Sequence, residues 1–351
     1  MKPGTEFYAL KAILALPDGV RKTLFSEKPV NIRNSDIDAQ TRTLLRLIEI
    51  QKRQTIDEIG KASGVDAARA AYRHYYKMGA WQSRKLPVRS EDVVLPGGRD
   101  EMKARLYHPE SVSSDGLLIY IHGGGGVIGD VEAYDYFNRY MADYLGAAVL
   151  FPEYGLGPEN PFPEGVRDCL AMTRALPGLA ERFGVSASNI IIGGESAGAM
   201  LSAICGNEAG QAGIDVKALW LLFGAYDELT SDKYASMTDY ASGFGLSRDM
   251  IEWFATQYFA NGDSELVQYP LPINLPHLNN LPATLLRAAE YDPLFDQSMA
   301  FMNVIQPMGV DVTYRVAEGL LHGYTNLFEL IPAAKAALDE DLDWIKAAFS
   351  A

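Results

Sequence analysis

The chain has 351 residues, about twice the length of a typical domain, so length alone admits one large domain or two ordinary ones. With 48% hydrophobic, 22% charged and 11% aromatic residues it has the composition of a folded globular protein, which excludes disorder over most of its length. Its 31 Lys and Arg against 45 Asp and Glu leave a net charge of −14, which repels phosphate backbones and anionic lipid, so neither nucleic acid nor a membrane surface is an expected partner.

At the N-terminus Met1 and Lys2 precede an apolar stretch over 7–16, but Lys11 interrupts it and no small-x-small cleavage site follows, so no secretory leader is expected. No run reaches the ~18 consecutive apolar residues of a membrane-spanning helix. Residues 1–85 read as helical and free of strands. Leu44, Leu45, Leu47, Ile48 and Ile50 within 39–54, and Ala71, Tyr72, Tyr75, Tyr76 and Met78 within 67–81, recur close to helical spacing. From about Val88 short apolar runs alternate with helical stretches: 91–94, 104–107, 117–121, 147–151, 190–192, 218–223, 284–288 and 312–316. That rhythm is what βαβ units in a covered, mostly parallel sheet produce. Residues 226–281 interrupt it with an amphipathic stretch over 247–260, carrying Trp253, Phe254, Tyr258 and Phe259, and then Pro270, Pro272, Pro276 and Pro282; a strand-free insertion there reads as a lid. Cys169 and Cys205 each fall in a predicted helix, too few for a disulfide scaffold and wrongly spaced for zinc, which points to a reducing compartment, the cytoplasm.

The strongest chemical signal is Ile190-Ile191-Ile192-Gly193-Gly194-Glu195-Ser196-Ala197-Gly198 running into a helical stretch. Strand, Gly-x-Ser-x-Gly, helix is the setting in which a serine is held on a sharp turn, because glycines let strand and helix crowd around it; the plain alternative is a turn with an incidental serine. A serine hydroxyl needs a base, and the base an orienting carboxylate. Of five histidines, His74 lies in a helical stretch, His108 precedes Pro109 beside an edge strand and His277 sits among prolines, whereas His322 follows the last predicted strand. Asp292 follows the strand before it and is preferred over Glu290 and Asp296, because Pro293 fixes the turn that aims it. Leu117–Ile121 leads into His122-Gly123-Gly124-Gly125-Gly126, and glycine N–H groups after a strand can approach an oxyanion unobstructed. A dinucleotide fingerprint competes here, Gly124-x-Gly126-x-x-Gly129 with Glu153 as the ribose acid; against it, the helix begins near Val131, beyond the third glycine.

Together these residues carry a resemblance. His122-Gly123-Gly124-Gly125, the segment from Tyr154 to Pro163, the elbow Gly194-Glu195-Ser196-Ala197-Gly198, Asp292-Pro293-Leu294 and His322-Gly323 resemble the hormone-sensitive-lipase-like α/β-hydrolases, and among them bacterial acetyl esterases. The resemblance implies an α/β-hydrolase fold, an eight-stranded, mostly parallel sheet flanked by helices with a helical cap. Residues 1–85 and 226–281 would form the cap, and 86–225 with 282–351 the catalytic core. It further implies a Ser196, Asp292, His322 triad and oxyanion donors on Gly124, Gly125 and Ala197. The expected activity is hydrolysis of short-chain esters, acetyl to butyryl, through an acyl-serine, falling at acidic pH as His322 becomes protonated. Neither cofactor nor metal is expected; the partner is a small-molecule ester, and a homodimer is an assembly the reading allows. Trp253, Phe254 and Tyr258 are candidates for the substrate pocket, with simple cap-to-core packing as their alternative. Glu195 stands where aspartate is usual, and Gly155 and Gly157 where arginine and alanine are usual. The same triad would also serve an amide, formamide or lactone hydrolase. A non-catalytic ligand receptor, as plant gibberellin receptors are, is a further alternative, against which His322 argues.

Overall fold

Apolar runs covered on both faces suit parallel strands, and Leu117–Ile121 is buried throughout. In a computed structural model, which describes residues 5–28, 30–33, 35–79, 84–229, 232–260 and 271–351, the elements begin with α1 (Thr5–Leu14), α2 (Asp18–Phe25), a two-residue hairpin β1 (Asn31–Ile32) and β2 (Ser35–Asp36), α3 (Ala39–Gln51), α4 (Ile56–Ser63) and α5 (Val65–Gly79). The main sheet and its helices follow: β3 (Val88–Pro96), β4 (Glu101–Pro109), β5 (Leu117–Ile121), α6 (Val131–Leu145), β6 (Ala148–Pro152), α7 (Glu164–Arg174), α8 (Leu176–Phe183), β7 (Ile190–Glu195), α9 (Ala197–Ala212) and β8 (Ala218–Leu222). Then come α10 (Ser236–Asp239), α11 (Arg248–Tyr258), β9 (Ala283–Tyr291), α12 (Phe295–Ile305), β10 (Val312–Leu321) and α13 (Pro332–Ser350). The hairpin β1–β2 is the one departure from a strand-free reading of residues 1–85 among those described.

The eight strands order as β10-β9-β8-β7-β5-β6-β4-β3. Only β4 runs opposite to the other seven strands, pairing antiparallel with both β3 and β6. Side chains alternate between two cores, as strand geometry requires. Leu118, Tyr120, Trp220 and Leu222 face the side covered by α6 and α13, and Leu117, Ile119, Leu219 and Leu221 face α7, α9 and α12. The parallel register, with Tyr120 opposite Gly193 and Leu222 opposite Arg287, brings the carboxyl ends of β5, β7 and β9 to one rim, where ligands bind in open α/β sheets.

Above that rim α4 and α5 meet α11 and the loop after β5, sharing a small apolar cluster of Ile56, Ala68, Val127, Ile128, Trp253 and Tyr258. Arg33 ties the N-terminal hairpin to the end of α10 and the start of α12, with Asp239 at 2.7 Å and Asp296 at 2.7 Å. No helix among the described residues is long and apolar enough to cross a membrane.

Candidate active site

Ser196 occupies the single residue between β7 and α9, at φ 55° and ψ −121°. That is a strained position for a residue with a side chain. The crowding explains its neighbours: a Cβ on Gly194 would lie 2.4 Å, and one on Gly198 2.0 Å, from the carbonyl oxygen of Ile121. His322 arrives from the end of β10, with Nε2 2.9 Å from Ser196 Oγ and Nδ1 2.7 Å from Asp292 Oδ2. A carboxylate only accepts, so Nδ1 carries the proton and Nε2 is left to accept from the serine hydroxyl. Asp292 is sealed from solvent, and its other oxygen accepts from the N–H of Leu294 at 2.8 Å.

The rival acids are occupied elsewhere. Glu290 accepts from the Gly319 N–H at 2.7 Å, and Asp296 accepts two hydrogen bonds from the Arg33 guanidinium. Among the other histidines, His108 pairs with Glu91 at 3.1 Å and His277 lies in its proline-rich loop with φ 61°. Glu153, the acid of the dinucleotide reading, accepts from the Val131 N–H at the start of α6, and a Cβ on Gly129 would strike the His122 ring at 2.3 Å. Gly129 therefore serves packing within the loop.

The glycine loop after β5 is held from both sides. Gly124 and Gly125 have φ 100° and 63°, and among the described residues their N–H groups, like that of Ala197, donate to no protein acceptor. Ala197 opens α9, where a helix leaves its first N–H groups free. Tyr154 donates to the His122 carbonyl at 2.9 Å, and the buried His122 ring, stacked on Tyr154, bonds to the Gly123 carbonyl at 2.7 Å. Burial pushes the His122 pKa down to about 4, so this ring is neutral and donates. Gly157, which departs from the family's usual alanine, donates to the Gly126 carbonyl at 2.8 Å; a Cβ there would lie 2.5 Å from the Gln257 carbonyl oxygen, at the end of α11.

A cavity of about 210 Å³ opens in front of Ser196, bounded by Gly124, Gly125, Ala197 and His322. Phe254 and Tyr258, one helical turn apart on α11, line it and press on the glycine loop. Trp253 does not line it. Its position lies ~100° around the helix from Phe254, and its ring packs on α4, where a Cβ on Gly60 would fall 2.2 Å from it. Tyr76, on α5, is buried against Tyr134.

Sequence reasoning assigned no role to the partners of Glu195. This buried carboxylate accepts from the Tyr134 hydroxyl at 2.6 Å and from the Thr325 hydroxyl, and Tyr134 in turn meets Tyr72 of α5 at 2.8 Å. Burial pushes its pKa up, against the pull of the Thr325 and Tyr134 hydroxyls, which favour the charged form. The position of Thr325 three residues after His322 was the available signal. Among the described residues no three His, Cys, Asp or Glu side chains converge as a metal site would require.

The profile of the alpha/beta hydrolase fold family matches residues 118–326. Carboxylic ester hydrolase LipN of Mycobacterium tuberculosis is 28% identical over 348 residues, covering 97% of this chain and 91% of that protein. The acetyl esterase of Salmonella paratyphi B is 26% identical over 282 residues, covering 76% and 84%. The hyperthermophilic esterase of the archaeon Pyrobaculum calidifontis superimposes with a TM-score of 0.81 at 28% identity, covering 90% of this chain and 99% of that one.

Proposed function

Because the chain belongs to the α/β-hydrolase fold family, in its hormone-sensitive-lipase-like group, and is an ester hydrolase like its relatives, we propose that it hydrolyses short-chain carboxylic esters, acetyl to butyryl, through Ser196, His322 and Asp292. The observation that carries this reading is the hydrogen-bonded line from Asp292 through His322 to Ser196, ending at a small cavity edged by three free N–H groups. Ser196 Oγ attacks the ester carbonyl carbon while His322 Nε2 takes its proton, and Asp292 holds the ring through Nδ1–H. The tetrahedral oxyanion accepts from the N–H groups of Gly124, Gly125 and Ala197. Collapse returns the proton to the departing alcohol and leaves an acyl-serine. Water, deprotonated by the same nitrogen, then attacks the acyl carbon and releases the carboxylic acid and the free serine.

The preference for short acyl groups is supported by the size of the cavity and by Phe254 and Tyr258, which stand against the glycine loop and narrow it. Residues 1–85 and 226–281 are read as two parts of one cap over a core of 86–225 and 282–351, supported by the packing of α4 on α11 over the site. A reducing, cytoplasmic setting is part of the same reading, supported by two buried cysteines carried as free thiols.

Turnover of nitrophenyl acetate, butyrate, octanoate and palmitate by the wild type and by Ser196→Ala tests it. The expected result is a maximum at acetate or butyrate and a fall in kcat of roughly 10⁴-fold or more on substitution. A maximum at octanoate or beyond overturns the chain-length assignment, and unchanged turnover by Ser196→Ala overturns the nucleophile.

A further inference from the structure

A second cavity, of about 460 Å³, lies beneath the N-terminal helices, between α1, α3 and α5 and the turn after His322. Leu10, Ile13, Leu44, Leu47 and Leu330 give it an aliphatic wall, and Glu6, Gln51, Arg53 and Gln54 confine its polar and charged groups to the solvent-facing rim. The cavity opens to solvent along that rim while its wall is apolar, and no step of the hydrolysis described above uses it. Two side chains, Ile56 and Met250, line both this cavity and the one in front of Ser196. A residue with one side on each space is a partition one side chain thick. Gly245 and Leu246 repeat the pattern, one on each side.

We propose that the second cavity is an alkyl-chain compartment of the same active site, and that Ile56 and Met250 form the wall that sets the chain length of the ester. The proposal rests on the esterase reading. The occupant is an unbranched alkyl arm whose ester carbonyl lies at Ser196, since an aliphatic wall offers a charged or strongly polar group nothing to replace its water. The two halves of the wall differ in stiffness. Ile56 is the first residue of α4, whose start is fixed by a capping box in which the Thr55 N–H donates to Glu58 at 2.9 Å, and its branched side chain has few rotamers. Met250, in the first turn of α11, is unbranched and can re-pack around a chain. The wall therefore stops short acyl groups on a fixed isoleucine and yields on the methionine side.

The test compares kcat/KM for nitrophenyl butyrate and octanoate in the wild type, in Ile56→Ala/Met250→Ala, and in that double variant with Leu47→Trp added to refill the second cavity. Opening the wall is expected to raise the octanoate-to-butyrate ratio about 10-fold or more, in the range that pocket methylenes command, and Leu47→Trp is expected to return it toward the wild-type ratio. A ratio within about twofold of wild type in a double variant that still hydrolyses butyrate overturns the proposal, as does a rise that Leu47→Trp leaves intact. If the double alanine variant does not fold, Ile56→Val/Met250→Val is read by the same ratio. A wild type that already prefers octanoate overturns the short-chain reading alone; the compartment then requires that Leu47→Trp in the wild type cut octanoate turnover, and no cut overturns it.

Discussion

The His122 ring is sealed from solvent, donates to the carbonyl beside it and has a pKa pushed down to about 4 by burial. In the unfolded chain an imidazole titrates near 6.5. Between these values the unfolded state binds a proton that the folded state refuses, so stability is complete above pH 6.5, falls as the pH drops below it, and the contribution is lost by about pH 4. The loss from this one ring amounts to about 3 kcal/mol. Urea unfolding of the wild type and His122→Asn at pH 7.5 and pH 4 isolates it, because carboxylates that titrate in both proteins cancel in the difference. The wild type is expected to lose about 3 kcal/mol more than the variant; equal losses would show that the ring is not held neutral. At this scale the proposed reacting groups were the legible ones. Ser196, Asp292 and His322 stand out because the chemistry demands those residue types at strand ends in that order. For Trp253 the sequence left pocket lining and cap-to-core packing both open, because hydropathy marks an amphipathic helix as a whole, whereas ~100° of rotation decides which aromatic reaches the cavity. The partners of Glu195 were hidden by distance, Tyr134 lying 61 residues before it and Thr325 130 after. A tyrosine on a buried helix face reads as core until its hydroxyl is seen to point somewhere.

All eight strands of the sheet overlap runs read from the sequence, and β5 to β8 are buried throughout, which leaves no polar alternation to confuse with a helix. Their ends were less legible. The run over 312–316 stops at Glu318-Gly319, which reads as loop, yet β10 continues to Leu321 through an irregular register, with Gly319 at φ 68° and its N–H on Glu290. That irregular turn delivers His322 to the rim. Helix contacts outside the sheet are likewise set by shape, and two glycines show the difference. A Cβ added to Gly178 in α8 would meet nothing within 4 Å, whereas one on Gly60 in α4 would sit 2.2 Å from the ring of Trp253. Alanine is the better helix former at both, by up to about 1 kcal/mol. Gly178→Ala is therefore expected to stabilise by about 0.5 kcal/mol. Gly60→Ala is expected to destabilise by about 1–2 kcal/mol, because the overpacked indole costs more than the propensity returns. Denaturant midpoints of the two variants check this, and stabilisation by Gly60→Ala would mean that α4 and α11 separate at little cost.

The length of the chain admits one domain or two; the sheet runs unbroken from β3 to β10, and α4 of the N-terminal helices meets α11 of the later insertion above its rim. No local window of sequence could supply that meeting, since α4 and α11 are joined only by packing. The net charge of −14, by contrast, was legible from the outset and acts on the molecule as a whole. Its field extends over the mouth of the cavity in front of Ser196, whose apolar, low-dielectric walls focus it. A neutral ester approaches such a site without electrostatic work, and an ester carrying a carboxylate on its acyl arm does not. Nitrophenyl butyrate and nitrophenyl hemisuccinate match in chain length and differ in that one charge. At ~0.01 M ionic strength, where screening reaches only beyond ~30 Å, the hemisuccinate is expected to show the lower kcat/KM. Raising the ionic strength to ~0.15 M shortens the screening length to ~8 Å, which should recover several-fold of that deficit while moving the butyrate value by less than about twofold. Parallel salt dependence for the two esters would show that the acidic surface does not reach the site, and the exclusion of anionic substrates would then have to come from contacts inside the cavity.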